Sequence, residues 1–428
     1  MTRRVLAFVG LAVAMLLVQD RSVYGFETAV SESSCRAEGF KRPLRQTIIV
    51  VDEGAIEAIS GKPSQANLRL NRTILNIAGV LEGQPVALSA PRERLTLLFA
   101  REDGSDLIRA LVGCPPTYSD IEINQLEKDS SGLSGQFKKF IGRDVRTNVE
   151  KEKQGFQTLI LQTMVELAKL RSAPANTRKD TDIGFLRALA LIRGNVDLNY
   201  GVPRIVVISP MNIPAARSFN DVKTAREKGF DLAEKIGADL QRAEVYLVGH
   251  SRETPGFTRE FAHALFLGMK GRLAAVGGEA LPAFADAPNS VAVYTGSIDY
   301  GDRKVPMQMR LAVDKTGLLV NSWVEVSVLR PVATPLVGNS SCKNSAADQC
   351  DIVTGNGSEF SQSWVTDIKP TPTFNEKLPF SGARFFELST TSETAKGRVR
   401  DPNLVMMGKK GTPFILPFEL SLATNTKF

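Results

Sequence analysis

The run Thr47-Ile48-Ile49-Val50-Val51-Asp52 sets the pattern from which the first expectation about the fold follows. Five residues with a continuous apolar centre end abruptly on a carboxylate. A run without polar alternation belongs to a strand covered on both faces, as in parallel sheets packed between helices. The same texture returns in Arg94–Ala100 (RLTLLFA), Arg204–Ser209 (RIVVIS), Ala243–Gly249 (AEVYLVG) and Arg272–Val276. Between these runs lie stretches with helical spacing: Leu68–Leu81, Leu133–Leu170 with a break at Gly155, Asp182–Arg193, Phe219–Leu240 and Phe257–Met269. Strand and helix in alternation predict an α/β fold, a mostly parallel sheet with helices on both faces and right-handed crossovers. In such folds a binding site lies beyond the carboxyl ends of the strands. Those ends carry Asp52, Ala100–Asp103, Ser209–Asn212 and Gly249–Arg252.

After residue 282 the texture changes. Val291–Ser297, Met307–Val313, Leu318–Val328, Ala383–Leu388 and Phe414–Ala423 read as strands, and Asp314-Lys315-Thr316-Gly317 as a hairpin turn. The organisation expected is therefore an α/β domain over 26–282 and a β-rich C-terminal domain over 283–428. Residues 1–25 form a third unit. Arg3 and Arg4 precede a 14-residue uncharged run, Val5–Val18, and small Gly25 follows. This is the pattern of a secretory signal peptide, and the run is short of the ~20 apolar residues of a membrane span. It predicts a periplasmic or secreted protein whose mature chain has no membrane span.

Four cysteines suit an oxidising compartment. Cys342 and Cys350 lie in one polar loop and are expected to pair, leaving Cys35 and Cys114 as the second couple. Four cysteines allow three connectivities, so the spacing alone does not fix the pairing. Only two histidines occur in 428 residues, which leaves no material for a His-rich zinc site, and no CxxC pair is present. The formal charge of +7 falls to +5 once Arg3, Arg4, Arg21 and Asp20 leave with residues 1–25. The remaining Lys and Arg are scattered, whereas nucleic-acid binding gathers them on one face. No nucleic acid is expected as a partner.

The order of elements over residues 46–276 resembles the von Willebrand factor A domain. In that family the first strand ends in Asp-x-Ser-x-Ser, a Thr precedes a later helix, and the fourth strand ends in an Asp-containing turn. Together these hold a divalent metal, usually Mg²⁺, through hard oxygen ligands. Here Asp52 matches the first position, and Gly54 and Ile56 replace both serines. Thr181 matches the Thr. Ser209-Pro210-Met211-Asn212 stands where the family has Asp near position 210. The resemblance implies a protein-interaction module that has lost most of its metal ligands, with Asp52, Glu53, Thr181, Ser209, Met211 and Asn212 on its contact surface. It implies another protein as partner and no cofactor. A Mg²⁺-dependent adhesion module using Asp52 and Thr181 is the alternative of the same fold.

A second chemistry competes. Gly249-His250-Ser251-Arg252-Glu253 lies between a strand and a helix, like the Gly-x-Ser-x-Gly nucleophile elbow of α/β-hydrolases. Glu253 occupies the place of the last glycine. The base would have to come from His263, twelve residues on and inside the next helix, or from His250 beside the serine. The expectation is therefore a non-enzyme, with a serine hydrolase using Ser251 as the competing reading.

Overall fold

The computed structural model describes residues 29–31, 45–57, 64–81, 93–116, 145–171, 184–198, 202–210, 221–241, 243–249, 256–277, 288–299, 304–314, 322–327, 331–336, 339–353, 385–400 and 415–427, with isolated positions between them. The expected signal segment 1–25, Cys35, Thr181, Met211, Asn212, His250 and Ser251 lie outside the described residues.

Two sheets divide the strands. The first holds β1 (Ala29–Ser31), β2 (Arg45–Asp52), β3 (Arg94–Ala100), β4 (Leu107–Gly113), β5 (Val202–Ile208), β6 (Glu244–Val248) and β7 (Arg272–Gly277), in the order β1-β4-β3-β2-β5-β6-β7. Every residue of β2 is buried. Its alternate side chains serve two separate cores. Ile49 and Val51 pack with Ile74 and Ile77 of α1 (Gln65–Ile77) and with Phe156, Ile160 and Leu167 of α2 (Val145–Leu170). Ile48 and Val50 pack on the other side with Phe185 and Leu189 of the 3₁₀ turn Gly184–Leu191. Short α3 (Ile192–Asn195) continues that turn. Behind it lie α4 (Val222–Ile236) and α5 (Gly256–Gly268), which contributes Phe261 and Leu265.

The second sheet is wholly antiparallel. It holds β8 (Ser290–Asp299), β9 (Lys304–Val313), β10 (Trp323–Ser327), β11 (Pro331–Pro335), β12 (Asn339–Cys342), β13 (Cys350–Val353), β14 (Phe385–Thr390), β15 (Thr394–Arg400) and β16 (Ile415–Lys427). Their order is β11-β10-β9-β8-β16-β15-β14-β13-β12. The two edges, β11 and β12, are neighbours in sequence, joined by residues 336–338. Such a link reaches about 14 Å, whereas the edges of nine flat strands would stand about 38 Å apart. The sheet must therefore curl until its edges approach. Inside the curl, Tyr294, Met307, Met309, Val324, Leu336, Ile352, Phe386 and Leu420 form one core. Cys342 and Cys350 face each other across β12 and β13 in a disulfide, with Cα atoms 4.0 Å apart. Closing so short a loop contributes about 2–3 kcal/mol in the chain-entropy account.

This arrangement corrects the expected fold class. The layout of the von Willebrand factor A type, a mostly parallel sheet between helices plus a smaller β-rich region, does not describe the molecule. The first sheet is mixed, because β4 returns antiparallel to β3 after a six-residue loop. The larger sheet is antiparallel throughout, and the described residues hold sixteen strands against five α-helices. The physical reason is local. Leu107–Gly113 follows β3 so closely that only a hairpin return is geometrically open to it. The polar strands β12 and β15, with short β13, then extend the second sheet beyond its long apolar runs. Among the described residues no helix is long and apolar enough to cross a membrane.

The α4–α5 contact carries a direct test of packing. Arg226, 2% exposed, donates from Nε and Nη2 to Oε2 of Glu260 at 2.8 and 2.5 Å. Beside this pair Gly229 lets the helices touch, since a Cβ there would stand 2.6 Å from the Phe261 carbonyl oxygen and 2.9 Å from the Ala264 Cβ. Alanine in a helix interior gains up to about 1 kcal/mol over glycine, but overpacking costs about 1–3 kcal/mol. Gly229→Ala should therefore lower stability by up to about 2 kcal/mol in urea unfolding. A gain in stability approaching about 1 kcal/mol, the bare helix-propensity difference, would show that the helices are not in close contact.

Candidate functional site

The carboxyl ends of β2, β3, β5 and β6 meet where the strand order reverses, because β2 is flanked by β3 on one side and β5 on the other. Asp52 closes β2 and is 3% exposed. Its side chain caps the 3₁₀ turn Glu53–Ala55, and Oδ1 accepts the Gly54 N–H at 2.9 Å. Its Oδ2 accepts the hydroxyl of Ser209, fully buried just past β5, at 2.6 Å. Ser209 is held in turn by its N–H bond to the Val248 carbonyl of β6 at 3.0 Å. Gly249 follows with a positive φ of 84°, and a Cβ there would approach the Ser209 carbonyl oxygen to 3.3 Å. Three strand ends are thus tied, β2 to β5 by a carboxylate and a hydroxyl and β5 to β6 by the Ser209 backbone N–H.

Glu53 turns the other way. It is 1% exposed, and its Oε1 sits 3.3 Å from Nη1 of Arg101, the residue after β3. Its Oε2 accepts the Glu102 N–H at 3.0 Å. The same Arg101 nitrogen donates to the Leu170 carbonyl at the end of α2, at 2.8 Å, and the guanidinium lies over the Phe99 ring. Cations are favoured at a helix C-terminus, where carbonyls lack partners. Arg101 therefore fastens the end of α2 to the strand ends. The loop 101–106 also touches the 3₁₀ turn that begins at Gly184. Gly104 has a φ of 71°, and any Cβ on it would collide with the Gly184 carbonyl.

Burial dominates the electrostatics of Asp52. It pushes the carboxyl up to about 6, against the lowering effect of the Ser209 and Gly54 hydrogen bonds, and nearby Glu102 and Glu53 push the same way. A metal ligand of the kind the resemblance implies does not fit these residues. Both oxygens of Asp52 are engaged internally. Gly54 offers no side chain, and Ile56, at the position of the second serine, is 1% exposed within the core. Among the described residues no group of three or more His, Cys, Asp or Glu is placed to hold a metal ion.

Of the sequence-derived candidates, the structure brings together Asp52, Glu53 and Ser209. Thr181, Met211, Asn212 and Ser251 lie outside the described residues. His263 sits on α5 and is 3% exposed. Cys114 is disulfide-bonded, and its expected partner Cys35 is outside the described residues. Sequence reasoning missed the role of Arg101. The available signal was a cation directly after an apolar strand, which reads equally well as a strand boundary.

A raised carboxyl gives a definite sign for pH. Asp52 binds its proton more tightly in the folded chain than in the unfolded one, where the value is about 3.9. Its contribution to stability is complete below about pH 4 and is lost as pH rises through about 6. Asp52→Asn removes that dependence. The stability of the variant relative to the parent should be more favourable at pH 8 than at pH 3.5 by about 3 kcal/mol, measured by urea unfolding across pH. A constant difference would show that Asp52 is not buried as described. Arg101→Met leaves Glu53 buried opposite no cation and should cost about 3–5 kcal/mol. A loss under 1 kcal/mol in the same measurement would contradict the Glu53–Arg101 tie.

Comparison with known proteins adds no relative: no family model matches this chain and no curated protein matches it.

Proposed function

We propose that the chain is an extracytoplasmic protein-interaction module that meets another protein through the loops at the carboxyl ends of the mixed sheet, without a metal ion. The observation that carries this reading is the full internal engagement of Asp52. A carboxylate at 3% exposure, bonded to Gly54 and Ser209, acts as a strut that fixes loop positions. What the loops offer outward is Glu102, Asp103, Ser105, Pro210 and Gly249, all exposed on a braced frame. A rigid frame with exposed loop tips suits recognition, since binding then costs little ordering entropy. The disulfide-bonded cysteines and the residues 1–25 support the compartment.

The test uses the mature chain immobilised against an envelope or secreted fraction. Capture of one protein should fall at least tenfold with Glu102→Arg and stay unchanged with Lys396→Glu on the second sheet. EDTA should leave it intact. Capture that EDTA abolishes and Mg²⁺ restores would favour the metal-dependent alternative. Capture indifferent to Glu102→Arg, or labelling of Ser251 by a fluorophosphonate, would overturn the reading.

A further inference from the structure

The amino ends of the strands hold a second polar assembly, opposite the loops just described. Arg204, 1% exposed, donates to Thr47 and pairs with Glu93 at 2.6 Å, and Glu93 also faces Arg45 at 3.5 Å. Next to them Glu244, the first residue of β6, pairs with Arg272 of β7 and accepts the Tyr246 hydroxyl at 3.0 Å. All of these belong to the first sheet except Glu93, which immediately precedes β3.

The second sheet supplies a further member. On β9 and β10 the side chains of Met307, Met309, Val324 and Val326 point into the curl. Their neighbours Arg310, Trp323 and Glu325 have the opposite parity and belong to the outer face. An outer face on water would be exposed, yet Trp323 is 4% and Glu325 7% exposed. Something covers this face. Helix α5 of the first sheet's layer abuts β11, the strand paired with β10. Arg310, directly opposite Trp323 in the register, lies within electrostatic reach of Glu244 and Arg272.

We infer that Arg310 is the pin of an interdomain latch: it inserts from the outer face of the second sheet toward Glu244, and this seats the curled sheet on the amino ends of β6 and β7. Glu244 then stands between two guanidiniums and balances both. Burial lowers the Arg310 guanidinium to about 10, with Glu244 opposing that shift and Arg272 adding to it, so it keeps its charge at neutral pH. The arrangement has a consequence for presentation. Glu244 and Gly249 stand at opposite ends of β6, about 16 Å apart at the rise of a strand. The second sheet therefore sits at the far pole from the Asp52–Ser209 ends and acts as a pedestal that leaves the strand-end loops open. The latch does not depend on what those loops bind.

The test is Arg310→Glu, with Arg310→Gln as the milder variant, in the full chain with its disulfides formed. Glu244 keeps Arg272 in both variants, so the first sheet retains its own pairing. Calorimetry should resolve two transitions where the parent shows one. Elastase should cut within residues 278–287 at least tenfold faster and release two resistant fragments. Both variants unfolding and cleaving like the parent would overturn the latch. So would accelerated cleavage that destroys the C-terminal fragment, because Arg310 would then be an internal brace of the second sheet.

Discussion

Strand β2 is buried along its whole length, and that constraint organises the molecule around it. Its backbone is satisfied by β3 and β5 in parallel register. Its middle side chains feed two apolar cores, so charge is admissible only at its two ends. At the amino end Arg45 meets Glu93, with Thr47 and Arg204 completing the group. At the carboxyl end Asp52 and Glu53 diverge, one to Ser209 and the other to Arg101. Both polar assemblies follow from a strand that tolerates nothing polar between its ends. Arg45, Arg204, Glu93, Glu53 and Arg101 each face an opposite charge that works against their desolvation, whereas at Asp52 burial outweighs the hydrogen bonds.

How much of this was legible in the sequence depended on which force shaped each segment. The runs TIIVV, RIVVIS and EVYLV were readable, because double-sided burial writes itself as an unbroken apolar string. Their ends then located Asp52 and Ser209 by the general rule for strand termini. Strand β4 was not readable, since Leu107–Gly113 includes exposed Arg109 and is defined by the return of the chain along β3. Nor were β12 and β15, where Asn-Ser-Ser-Cys and Thr-Ala-Lys-Gly-Arg-Val-Arg reach their sheet through backbone pairing more than through apolar side chains. The mostly parallel layout expected from the element order misjudged the architecture, because order along the chain does not specify an antiparallel return or the size of a second sheet.

Charges at strand boundaries were the hardest to interpret. Arg101, Arg204 and Glu244 all flank apolar runs, and flanking charge usually means solvent. Here Arg101 ties residues 69 positions apart by bonding the Leu170 carbonyl. Arg204 reaches Thr47 across 157 positions. No local pattern carries such long-range pairing. It emerges only when the first sheet and its helices pack together over the strand ends and leave little water to take the place of a partner.

Asp52 is a buried strut whose carboxyl is governed by desolvation. Its own titration can be followed by the ¹³C chemical shift of the Asp52 carboxyl carbon in selectively labelled protein. A midpoint near 6 is the predicted result. A midpoint at or below about 4, the value of an open aspartate, would contradict it.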